Sequence, residues 1–402
     1  MKKFIICLLC ALFLLPAAGC GAPKEENAMK YGLSNQNGTL VFEGAPYFGM
    51  GVNFYNLFNS SFPKEEGDAF DVSVAFYGLK VLAENKIPYV RANLGGYYWH
   101  ELPVYLGRKE EYRAAILKIA KEAERLGVGI IPSFFWLIQC VSDYYREPMR
   151  AWGDETSLTR RFMREYTADM TALLKDCQSI WGWEFGNEYN LGADLPNAAE
   201  NRPPLYDGSP RDASDCITLT DIESAFGEFS EIVRENDPHD RMITSGNATL
   251  RASQYNMHAY GAWIQDTEEE HEKVTERFHP AYMDVVSEHI YFRKENYFGR
   301  EMTLEEYLAY TTEMCASIKK PLLVGEFGHN DLTEPEPTEE RKEAAYRYMA
   351  GCMVDFNVQA SLLWNYDPLG GIEYSFTETS RKGQFLFALI RDCNEEYAKK
   401  TK

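Results

Sequence analysis

The feature that most constrains this chain is an alternation repeated eight times. Short apolar runs of strand character occur at 47–54, 89–94, 129–136, 180–187, 241–247, 284–292, 321–328 and 360–366. Longer stretches with helical spacing separate most of them, at 74–86, 111–127, 158–176, 219–235, 303–319 and 338–357, with a last one at 384–398. In 111–127 the residues Ile116, Ile119, Ala120, Ala123 and Leu126 form one apolar stripe, and Gly127 ends it. The stretch between the fifth and sixth strands is long and less regular. Strands apolar along their whole length fit a parallel sheet covered by helices. Eight such units predict an α/β fold, a (β/α)8 TIM barrel in one domain over 32–402 with enlarged βα loops. An open doubly wound sheet is the competing arrangement, but no G-x-G-x-x-G follows the first strand. Ahead of the first strand, NGTLVFEGAPYF (37–48) reads as a hairpin turning at Asn37-Gly38.

The start of the chain reads differently. Lys2 and Lys3 precede an apolar run, Phe4 to Leu15, too short to span a bilayer comfortably, and then PAAGC (16–20). This pattern resembles a bacterial lipoprotein signal, 1–19, cleaved before a lipid-modified Cys20, with 20–31 including a polar tether. An ordinary secretory signal cut nearby is the alternative. The lipid reading implies an extracytoplasmic protein anchored at the cell membrane or surface by that lipid alone. Six further cysteines, Cys140, Cys177, Cys216, Cys315, Cys352 and Cys393, are widely spaced without a C-x-x-C pair, which disfavours zinc. A formal charge of −20 argues against a nucleic-acid partner. A monomer is expected.

In a barrel of this kind, chemistry gathers at the C-terminal strand ends. Strand two carries Arg91 and Asn93, followed by Trp99 and His100. Strand three ends in Phe135 and Trp136, strand four in Asn187 and Glu188, and strand five in Asn247. Strand six carries His289 and Tyr291, strand seven Glu326, and strand eight Trp364. Two carboxylates beside an arginine and several aromatic rings suit glycosidic cleavage. One carboxylic acid protonates the leaving oxygen; the other attacks the anomeric carbon or activates water. Their surroundings must hold the two in different protonation states. Glu184, four residues before Glu188, shares its face but lies deeper, where a structural role or support of the site from behind is expected.

WEFGNE (183–188) and LVGEFG (323–328) resemble the two catalytic motifs of clan A glycoside hydrolases, and most closely those of glycoside hydrolase family 5, the cellulase and mannanase family. The likeness runs from GMGVNF (49–54) to LLWNY (362–366). It implies that Glu188 is the acid/base and that Asn187 bonds the sugar 2-hydroxyl. It implies that Glu326 is the nucleophile, supported by Arg91, with His289 and Tyr291 as the H-x-Y of strand six and Trp364 stacking on the sugar. Trp99, His100 and Trp136 are expected as subsite walls. Many cellulase-like members carry a histidine after strand three, where this chain has FFWLIQC (134–140), and an aromatic there also suits mannanase-like members. The resemblance implies a retaining enzyme acting on β-linked poly- or oligosaccharides, mannan or glucan, without metal or organic cofactor. A carbohydrate-binding lipoprotein on a barrel that has lost catalysis is the other reading.

Overall fold

The computed structural model describes residues 31–65, 67–95, 101–201, 205, 208–211, 215–328, 338–372 and 374–400. The expected signal segment, Cys20 and nearly all of its tether, together with Trp99 and His100, lie outside the described residues. Strands β1 (Leu33–Gln36) and β2 (Thr39–Phe42) form the expected hairpin, with Gln36 opposite Thr39, and β3 (Ala45–Pro46) adds a third edge. Asn37 and Gly38 both take left-handed φ, 55° and 92°, as a two-residue hairpin turn requires.

The barrel strands are β4 (Gly49–Asn53), β5 (Tyr89–Asn93), β6 (Gly129–Phe135), β7 (Gly182–Gly186), β8 (Met242–Thr244) and β9 (Val286–Ile290). A small hairpin of β10 (Lys294–Tyr297) and β11 (Arg300–Thr303) follows, then β12 (Leu322–Phe327) and β13 (Ala360–Leu363) complete the set. The order β8-β7-β6-β5-β4-β13-β12-β9 places the first barrel strand beside the last, and every pair is parallel. At the β8–β9 seam the Asp284 N–H donates to Ile243 O at 2.9 Å, and the Asp284 carboxylate accepts from the Ile243 N–H at 2.6 Å. The molecule is therefore the expected (β/α)8 barrel.

Local chemistry explains the boundaries of the covering helices. Thr218, Thr267 and Thr303 each begin a helix with a reciprocal capping box closed by Asp221, Glu270 and Glu306. Gly127 ends Lys109–Leu126 in the left-handed conformation. The hairpin closes the N-terminal end of the barrel: Leu33 and Leu40 pack with Tyr89, Ile131, Trp181 and Leu323. That leaves the opposite end for the site. Several strands stop short of their predicted ends, because the residues that follow turn out of the sheet. The fourth was expected to reach Asn187 but ends at Gly186; the eighth was expected to reach Tyr366 but ends at Leu363. The irregular stretch after β8 contains two helices, Gln254–Tyr260 and Glu268–Phe278. No helix among the described residues is long and apolar enough to cross a membrane.

Candidate active site

One cation organises the open end of the barrel. Arg91, on β5, is 0% exposed, and its guanidinium binds partners from three other strands and the loop after β7. Its Nε donates to both oxygens of Glu184 at 2.8 and 2.9 Å. Its Nη1 donates to Glu326 Oε1 at 2.7 Å and to Asn53 Oδ1 at 3.2 Å, and its Nη2 to Asn187 Oδ1 at 2.8 Å. The ring of Trp136 lies against the same group, its centroid 4.3 Å from Arg91 Cζ. Burial works against the charge of Arg91, but Glu184 and Glu326 outweigh it and raise its pKa. Burial likewise raises the carboxyl of Glu184 against the pull of Arg91.

Glu326, near the end of β12, is 5% exposed and held at both oxygens. Arg91 takes Oε1, and the Tyr291 hydroxyl donates to Oε2 at 2.6 Å. A register shift between Val324 and Glu326 turns the strand there, leaving Glu326 level with His289 of β9. Asn53 of β4 donates to Gly325 O at 3.0 Å and so ties this bend to the first barrel strand.

Glu188 follows β7 in a left-handed conformation, φ 57°, which is costly for a residue with a side chain. Its N–H donates to Gly246 O at 2.8 Å. Gly246 has φ 70°, and a Cβ there would collide with Gly186 O and the Glu184 carboxyl. Two residues on, Asn190 bonds both the N–H and the carbonyl of Ala248, at 2.9 and 3.0 Å. The strained turn that presents Glu188 is thus pinned to the loop after β8. Its side chain remains 30% exposed, far more open than that of Glu326.

The two carboxyl groups differ in their partners. Burial raises Glu188, with Arg91 and Arg251 pulling the other way. His289 Nδ1 lies 2.9 Å from Glu188 Oε1. Burial drives His289 down to about 3, so its ring is neutral. Its Nε2 has no partner among the described residues, which suits a lone pair there and an Nδ1–H donated to Glu188. Single ligand atoms of Glu188, His289 and Glu326 lie within 4.8 Å of one another, a set that could hold a divalent cation. The Arg91 charge, 2.7 Å from Glu326, opposes one.

The residues singled out from the sequence mostly meet here. Hydrogen bonds join Arg91, Asn187, Tyr291 and Glu326 into one group and pair Glu188 with His289, whose Nδ1 lies 3.8 Å from Glu326 Oε1. Trp364 is half-buried beside them, its ring 6.1 Å from Trp136 and 6.3 Å from Tyr55. Trp136, expected as a wall, is 5% exposed, and one face is occupied by the guanidinium. Asn247 is 0% exposed and bonds Phe278 O at 3.3 Å, away from this network. The sequence did not single out Asn53 or Tyr55. Nor did it give Glu184 its place as the innermost partner of Arg91. Asn53 ends its strand as Asn93 and Asn187 follow or end theirs, and that shared position was the available signal.

No protein-family model matches the chain, and no curated protein sequence matches it. Solved structures do. The endo-1,4-β-mannanase of Rhizomucor miehei superposes with a TM-score of 0.63 at 14% identity, over 92% of this chain and 99% of that one. A glycoside hydrolase family 5 mannosidase from the same organism gives 0.62 at 13%, over 93% and 99%. A β-glucanase from Saccharophagus degradans, in complex with cellotetraose, gives 0.54 at 14%, over 91% and 94%. At such identities the likeness is one of fold.

Proposed function

We propose that this protein is a retaining β-glycoside hydrolase acting on β-linked poly- or oligosaccharides of the mannan or glucan type. The observation that carries the proposal is the pair of carboxyl groups. Oxygens of Glu188 and Glu326 approach within 4.8 Å, Glu326 bonded to Arg91 and Tyr291 and Glu188 paired with His289. Retaining enzymes hold their carboxyls about 5–5.5 Å apart, whereas inverting enzymes need about 6.5–9.5 Å to admit a water. The barrel shared with mannanases and glucanases supports the same reading.

In this mechanism Glu326 attacks the anomeric carbon, its lone pair forming the C–O bond as the glycosidic bond breaks. Arg91 and Tyr291 hold its oxygens in position. Glu188, whose pKa burial raises, gives its proton to the departing oxygen. Neutral His289 leaves that proton in place, where an imidazolium would favour its loss. The alcohol then departs, Glu188 takes a proton from water, and the hydroxide displaces Glu326 from the glycosyl ester. In this reading Asn187, held by Arg91, bonds the sugar 2-hydroxyl, and Trp364 stacks on the ring.

The test is hydrolysis by the full chain of β-glucans, β-mannans and aryl β-glycosides, with Glu326→Ala alongside. Sugar release by the wild type, with first-formed product in the β configuration by NMR, is the expected result. Release by Glu326→Ala at comparable rates, or an α product, would sink the assignment. The lipoprotein signal and Cys20 anchor belong to the same proposal. Mass spectrometry of the mature N-terminus decides them, since a chain starting elsewhere than an acylated Cys20 overturns the anchor.

A further inference from the structure

The loop after β8 carries a feature the proposed chemistry has not used. Three of the eight large apolar side chains that stand exposed among the described residues fall within five positions: Tyr260, Trp263 and Ile264, at 71, 50 and 56%. Monomeric proteins seldom gather such groups at one spot without a ligand for them. Trp263 has a defined seat, because Arg251 lies under its ring with Cζ 5.7 Å from the centroid. Arg251 in turn reaches the acid/base turn: its Nη2 donates to Leu191 O at 3.1 Å, and the Leu191 N–H donates to Glu188 O at 3.0 Å. The Arg251 charge also acts on the Glu188 carboxyl. Its Nε is buried and finds no partner among the described residues.

The direction of the substrate follows from the site. The sugar under attack must face Glu326 and rest against Trp364, beside Tyr55 and Trp136, on the side of β4, β6 and β13. The oxygen receiving the proton lies at Glu188. The rest of the chain must therefore continue past Glu188, over the loops that follow β7 and β8, where Arg251 and Trp263 stand.

Given the glycosidase reading, on which this rests, we infer that Trp263 on its Arg251 seat is a stacking platform for a pyranose of the leaving-group portion of the substrate. The apolar C–H face of a β-linked sugar covers the open face of the indole, while the guanidinium fixes the other. The platform makes the enzyme favour substrates with several sugar units beyond the cleaved bond.

The test compares Trp263→Ala and Trp263→Phe with the wild type on manno- and gluco-hexaose and on a p-nitrophenyl glycoside. The ratio of kcat/KM on the better hexaose to that on the aryl glycoside should fall about tenfold in Trp263→Ala and be largely restored in Trp263→Phe. An unchanged ratio, including equal losses on both substrates, overturns the platform while leaving the glycosidase standing. If the wild type hydrolyses nothing, the glycosidase reading fails, and calorimetric binding of the hexaoses decides the platform alone. Roughly tenfold weaker binding by Trp263→Ala supports it; equal binding, or none by the wild type, overturns it.

Discussion

Replacing Arg91 with Met probes the arrangement at its centre. The side chain is fully buried and compensates two carboxylates, Glu184 at 2.8 Å and Glu326 at 2.7 Å. Methionine fills much of the space but leaves both acids without their cation. Removing one partner of a buried ion pair costs about 3–5 kcal/mol, because the other charge stays buried and uncompensated. Here one guanidinium serves two buried acids at once, so the upper end, about 5 kcal/mol, is expected. The loss must also depend on pH. Burial already raises Glu184 against the pull of Arg91, and without that pull its folded pKa rises further above the unfolded value. A raised folded pKa stabilises below the unfolded value, near about 4.3, and that contribution disappears as pH climbs through the folded one. The deficit of Arg91→Met should therefore be smallest near about pH 5 and grow toward about pH 8. Denaturant unfolding of wild type and variant across that range measures it, and adding Glu184→Gln should recover part of the loss. A deficit under about 1 kcal/mol at every pH, or one that does not change with pH, would refute the account of a shared buried cation.

Two further outcomes follow from the hydrogen bonds around the carboxyls. Tyr291→Phe removes a 2.6 Å bond to the carboxylate of Glu326, worth about 1.5–3 kcal/mol for a charged acceptor. That bond favours the free carboxylate over the ester, so its loss should fall mainly on release of the sugar from Glu326. A stopped-flow burst on activated aryl glycosides should appear, and equal slowing of both steps would count against it. For the acid/base, burial raises Glu188, so the alkaline limb of kcat/KM should lie above the ordinary carboxylate range. Glu188→Gln should flatten that limb on activated substrates; a limb that persists unchanged would assign it to another group.

The strand ends show how far the sequence could be read. Eight apolar runs gave the eight barrel strands, because a strand buried on both faces must be apolar throughout. The hairpin of β10 and β11 left no such trace: its residues Lys294, Glu295, Arg300 and Glu301 are exposed, and its turn is Phe298-Gly299. Asn187-Glu188 and Glu326 were legible because charged groups ending apolar strands are rare without a use. Glu184 was placed on the right face, but its partner lies two strands away and appears only once β5, β6 and β7 are side by side. Trp263 carried no sequence signal, since a tryptophan in a long loop is as compatible with the core as with the surface.

By itself the sequence determined the barrel and the residues that meet at its open end, since periodicity and the chemistry of strand termini are written locally along the chain. Beyond the support of Glu326 by Arg91, which the family likeness already implied, only the tertiary structure decided how these groups are shared. The sharing of Arg91 between Glu184 and Glu326, the neutral His289 against Glu188 and the seat of Trp263 on Arg251 all join residues distant in sequence. Burial, which raises the carboxyls of Glu184 and Glu188 and keeps His289 neutral, comes into being only when the strands close around them.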